Sequence, residues 1–230
     1  MLASLYQYLI IALVLSFSVI LHEVAHGYTA YLLGDNTAKY MKRLSLNPLN
    51  HINKRSAGLV LVGLLLSNLI PFLGSFSNIL IFIGFVTIAQ PVPINPSYFK
   101  DPKKGMAITA LMGPVTNLVI AYIAMFILGF LVKFDISNSY LFSAFLLLSE
   151  LNIRLAVLNL IPVPPLDGSK VLFAFLPQRT YFTILQYERY IQIGLLALLF
   201  LGYFDMLIFN GTEKLLGVME QSVVFLLGIS

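Results

Sequence analysis

From Leu5 to Leu21 the chain runs without one charged side chain, and the run ends in His22-Glu23-Val24-Ala25-His26. A stretch of that kind reads as a bilayer-crossing helix, because lipid offers the backbone no partners and a helix satisfies them internally. It has no basic start and continues straight into the polar cluster, so it is expected to be a retained span and not a cleaved leader. At 3.6 residues per turn, His22 and His26 lie one turn apart on one helix face, with Glu23 beside them. Two neutral imidazoles so placed are good ligands for a single zinc ion. The neighbouring carboxylate is positioned to take a proton from a water that the ion acidifies.

The rest of the chain is of the same kind. Hydrophobic residues make up 59% of the 230 and charged ones 10%, with a mean hydropathy of +0.89, whereas about a quarter of residues are charged in soluble proteins. The expected fold class is an all-α polytopic membrane protein. It would be a transmembrane helix bundle with a re-entrant or hairpin segment and short membrane-associated β or extended loops. No polar segment is long enough for an appended soluble domain, so 1–230 is expected to be one membrane-embedded domain, with a core over 4–176 and additional C-terminal helices over 190–228. The absence of cysteine excludes thiolate zinc sites and leaves His, Asp and Glu as ligands. Nucleic acid is not an expected partner; the lipid bilayer is.

In chain order, a first helix is expected from about Ser4 to Leu33, stopped by Gly34-Asp35-Asn36. A loop over 39–55 holds five cations, which marks it as cytoplasmic. Within it, Leu44 to His51 predicts a brief strand and a turn, and His51 reads as a structural histidine. Between 57 and 89, two apolar runs too short to span flank Pro71 and Gly74. Lys100, Lys103 and Lys104 place the next polar stretch on the same side as the first basic loop, so parity favours a hairpin. Pro91-Val92-Pro93-Ile94-Asn95-Pro96 is extended by its prolines, as an edge strand or loop against the membrane.

A third spanning segment, 105–132, contains Gly113-Pro114 with Asn117 one turn on, and a fourth, 141–161, carries Glu150 and Arg154 at the spacing of an intrahelical ion pair. A fifth helix is expected over 190–209, and the tail from Gly211 as an amphipathic helix or a further crossing. After the fourth span, Ile161-Pro162-Val163-Pro164-Pro165-Leu166-Asp167-Gly168 cannot remain helical. Catalytic zinc usually takes three protein ligands, and His22 with His26 leaves one to find. Asp167, on unwound chain near the membrane, is the best candidate. Asp35, Asp101 and Asp135 fall in loops where solvation explains them, and Glu150 is matched with Arg154.

Together, His22-Glu23-x-x-His26 in a first span, Gly113-Pro114-x-x-Asn117, and Asn159-x-x-Pro162-x-Pro164-x-Leu166-Asp167-Gly168 resemble the site-2 proteases, zinc intramembrane metalloproteases. Order and spacing fit across residues 18–170, most like the small prokaryotic members without PDZ or CBS domains. One departure is that His51 is followed by Ile52-Asn53, where that subgroup tends to have Asp-Pro. The resemblance implies one Zn2+ per chain held by His22, His26 and Asp167, with Glu23 as general base, and a transmembrane protein or peptide as substrate. It also suggests that the region around 90–100 helps to receive substrate. Val92, Ile94 and Asn95 are then candidates for pairing with an extended substrate, and Asn159 or Asn117 for stabilising the oxyanion.

Eleven of the 14 Lys and Arg fall in segments read as cytoplasmic. The expected location is a prokaryotic plasma membrane, multi-pass, with the amino terminus outside and the active site towards the cytoplasm. A membrane metal-ion transporter or sensor using the same His and Asp cluster is the rival reading. It leaves Glu23 without a clear role, and no internal repeat supports it.

Overall fold

A computed structural model describes residues 2–51, 91–136, 138–177, 180, 183–184 and 186–229. Among these residues the regular structure is entirely helical. Two helices lead: α1 (Leu2–Leu32), which carries the histidine motif, and the one-turn α2 (Thr37–Tyr40). After a 3-10 turn at Pro48–Asn50 and another at Pro96–Tyr98 come α3 (Pro102–Lys133), α4 (Ser139–Asn159), α5 (Asp167–Phe175), α6 (Glu188–Phe200) and α7 (Asp205–Leu227).

The helix ends follow local chemistry. Beyond α1, Gly34 takes a left-handed conformation, φ 109°, which lets its own N–H reach Tyr31 O and the Asp35 N–H reach Ala30 O. These two bonds satisfy carbonyls that the helix leaves free. Asp101 caps α3 by accepting from the Lys104 N–H at 3.2 Å, with Pro102 at the first helical position, where its missing N–H costs nothing. Asn138 caps α4 by accepting from the N–H groups of Tyr140 and Leu141.

α3 is the centre of the molecule, packed against α4, α1, α5 and α7. Its C-terminal half forms an apolar core in which Ala121, Met125 and Leu128 meet Ile153 of α4 and Met219 and Val223 of α7. Its N-terminal half faces α1 and α5 with small or polar buried residues, among them Gly105, Thr109, Gly113 and Asn117. Among the described residues, α3 and α4 are long and apolar enough to cross a membrane. α1, at 31 residues, exceeds the length a span needs. The expected Glu150–Arg154 ion pair is present at 3.6 Å.

Several expectations are corrected. No strand forms at 44–51: Asn47 instead accepts from the Leu49 N–H and starts a 3-10 turn, the turn half of that expectation. The 91–95 segment is extended without strand pairing among the described residues, since Pro91 and Pro93 remove donors a ladder needs. The single helix expected over 190–209 is two, because Gly202, at φ 76°, turns the chain between α6 and α7. The tail is therefore the long helix α7. Asp35 is not a solvated loop residue. It is fully buried, accepting from the Thr37 N–H at 2.9 Å and the Asn95 N–H at 2.6 Å. The hairpin expected over 57–89 lies outside the described residues.

Candidate metal centre

The helical period places His22 and His26 on the α1 face turned to α3, where both are buried, 8% and 5% exposed. Their rings need space that most residues would fill. Gly113 of α3 provides it: a Cβ there would lie 2.4 Å from His26 Nε2 and 2.5 Å from His22 Cε1. The chain after α4 returns through the proline-broken 160–166 stretch to start α5 at Asp167, which is 7% exposed. Gly168 is required at this return, because a Cβ would come within 2.4 Å of Leu160 O.

These elements bring three ligand atoms to one point. Asp167 Oδ2 is 3.1 Å from Nε2 of His22 and 3.1 Å from Nε2 of His26, and the two Nε2 atoms are 3.0 Å apart. His26 Nδ1 donates to the Thr109 carbonyl at 2.7 Å. A carbonyl only accepts, so in the neutral ring the proton sits on Nδ1 and Nε2 presents its lone pair to the cluster. A neutral imidazole nitrogen and a carboxylate oxygen converging in a buried place want a cation between them. Tetrahedral bonds of about 2.0–2.1 Å separate ligand atoms by about 3.3 Å, close to the observed spacings. The donor set and the cradle therefore fit zinc, and among the described residues this is the group of His and acidic side chains so arranged.

Glu23 stands beside the cluster and outside it. Its Oε2 accepts the Val92 N–H at 2.7 Å, so the extended segment is hung on the carboxylate next to the metal ligands. Val92 is buried, and the Asn95 N–H is held by Asp35. Ile94 keeps its N–H outside these two bonds, and Asn95 uses its side chain to cap the Pro96–Tyr98 turn. Asn117, fully buried, puts Nδ2 3.2 Å from His22 Nδ1. Asn159 is turned back on its own helix, donating to Leu155 O at 3.0 Å. His51 is buried with Nε2 2.6 Å from Ser45 O, an interior histidine of the loop.

Two participants were not singled out from the residues alone. Lys170 reaches Asp167 Oδ1 at 3.0 Å, leaving Oδ2 for the cluster. Its i, i+3 spacing on a helix was the available signal. The Thr109 carbonyl had none, since a backbone group has no identity in sequence.

A buried cluster of two histidines and one aspartate, with a carboxylate alongside and apolar helices around it, defines a metal-dependent hydrolase embedded in a membrane. The Peptidase family M50 model matches residues 131–202, which include Asp167. YwhC of Bacillus subtilis (strain 168), provisionally named a zinc metalloprotease, is 34% identical over 200 residues, covering 85% of this chain and 81% of the relative. Rip2 of Mycolicibacterium smegmatis, named in the same provisional way, is 33% identical over 152 residues, or 66% of this chain and 51% of Rip2. Rip2 of Mycobacterium tuberculosis H37Rv is 27% identical over 184 residues, and the chain spans 62% of its length. No solved structure matches significantly. The chain belongs to peptidase family M50, the site-2 proteases, membrane-embedded metalloproteases that use zinc.

Proposed function

We propose that the chain is an intramembrane endopeptidase that hydrolyses a peptide bond in or near a transmembrane segment of a membrane protein. The carrying observation is the convergence of His22 Nε2, His26 Nε2 and Asp167 Oδ2 beside Glu23, between helices that present apolar side chains outward. Those three residues would hold one zinc ion. When bound, zinc supplies a Lewis acid that acidifies water and polarises the scissile carbonyl. Glu23 takes the water's proton and later delivers it to the leaving amine. The Val92 N–H donates to Oε2 of this carboxylate and so holds Glu23 in place beside the cluster. Asn159 donates to the developing oxyanion after leaving Leu155 O.

A helical substrate hides its carbonyls in its own hydrogen bonds and must unwind to be cut. The 91–95 segment supports this step, because it is extended, it touches Glu23, and the Ile94 N–H has no partner among the described residues, which leaves it for pairing. The protein would be multi-pass in a prokaryotic plasma membrane, with the site towards the cytoplasm, supported by the clustering of Lys and Arg in 39–55 and 100–104.

The test is Glu23→Gln in purified protein, with bound zinc and cleavage of a transmembrane peptide both measured. Cleavage should fall by about 10²–10⁴-fold while zinc is retained. Unchanged cleavage would end the proposal. Chelation should abolish cleavage and zinc should restore it, and Asp167→Ala should lose zinc. Single cysteines at positions 53 and 100 should label from the same side of the membrane; labelling from opposite sides would overturn the topology.

A further inference from the structure

His22 and His26 both present Nε2 to the cluster, and this constrains what stands behind each ring. A neutral imidazole has one bare nitrogen, so a ring that ligates through Nε2 carries its proton on Nδ1 and needs an acceptor there. His26 has one in the Thr109 carbonyl. Behind His22, the group within reach among the described residues is the Asn117 side chain, with Nδ2 3.2 Å from Nδ1. Two N–H donors facing each other make no bond. The Asn117 Oδ1 atom, meanwhile, is buried without a partner among the described residues. A half-turn about χ2 exchanges the two ends of the amide within the same volume and brings Oδ1 to His22.

We propose that Asn117 is a positioning residue for His22, its Oδ1 accepting from the His22 Nδ1–H, and that it is not the donor to the oxyanion. The proposal rests on His22 being a zinc ligand. The bond fixes the tautomer that frees Nε2 and sets the ring's angle to the metal. It comes from α3, one turn beyond the Gly113 that makes room for both rings, so a single helix seats the two imidazoles and orients each from behind. Burial raises the stakes, since a polar atom sealed from water and left unpaired is costly.

The experiment compares wild type, Asn117→Asp and Asn117→Leu, all of similar side-chain size, in detergent. Zinc affinity is read by chelator competition and ring protonation by 15N-histidine NMR of the zinc-loaded protein. The chain has three histidines, so the spectrum is assignable. Wild type should show His22 protonated at Nδ1 and engaged in a hydrogen bond. Asn117→Leu should weaken zinc binding by about 10–100-fold, and Asn117→Asp, which keeps an acceptor, should recover most of it. Three results overturn the proposal: a bare His22 Nδ1 in zinc-loaded wild type, wild-type zinc affinity in Asn117→Leu, or Asn117→Asp binding as weakly as Asn117→Leu. The wild-type spectrum decides even where a variant does not fold. His22→Ala separates the two levels: if it binds zinc as wild type does, the ligand assignment itself has failed.

Discussion

The two halves of α3 are packed on opposite principles. From Gly105 to Asn117 its buried positions are small or polar, and the space they leave is taken by imidazoles from α1 at Gly113 and by the Phe99 ring at Gly105. From Ile120 to Leu131 they are apolar, and the volume is filled by Ile153, Met219 and Val223. Low volume at one end lets ligands approach the helix backbone; full volume at the other supplies cohesion. Adding a methyl group should therefore damage the first half, and removing methyls the second, with different readouts.

Gly113→Ala should have the largest effect. Its Cβ meets both imidazoles, so zinc content by metal analysis should fall to background while the metal-free protein melts near the wild-type temperature. Retained zinc would mean that the rings have room they do not show. Ile153→Ala is the mirror experiment. Removing this fully buried side chain should cost about 2–5 kcal/mol in unfolding free energy and leave zinc at one per chain. Asp35→Ala tests whether the 91–98 segment belongs with the site half. It should cost about 1–3 kcal/mol and raise hydrogen exchange at the Asn95 amide, with little change in the apolar half. Gly202→Ala lies outside both halves and should cost only about 1–2 kcal/mol, the penalty of a left-handed residue with a side chain, visible as a small drop in melting temperature.

Much of the molecule was legible from local rules. His22 and His26 share a face because of the helical period, and Asp167 stood out because prolines break the helix before it and no thiolate competes as ligand. The ends of α3 and α4 fell within a few residues of expectation, their earlier starts being set by the Asp101 and Asn138 caps. The misreadings have a shared cause. Asp35 looked like loop surface because its polarity was visible and its partner, the Asn95 amide, was not. The contact between Asn117 and the His22 ring was not legible either, because nothing in its neighbourhood of the chain named a ring 95 residues away. The brief strand at 44–51 failed because alternation alone does not supply a pairing edge.

By itself, then, the order of residues determined the chemistry available: two imidazoles at i, i+4, a carboxylate between them, a second carboxylate on unwound chain, and an apolar setting that excludes water. Those follow from covalent spacing and composition, which any conformer of the chain carries. Only the tertiary structure decided which lone pairs meet. That Gly113 leaves room for both rings, that the Thr109 carbonyl orients His26, and that Val92 hangs on Glu23 depend on contacts between segments 60 to 100 residues apart. Hydrogen bonds act over about 3 Å, and whether such groups come that close is settled by helix packing.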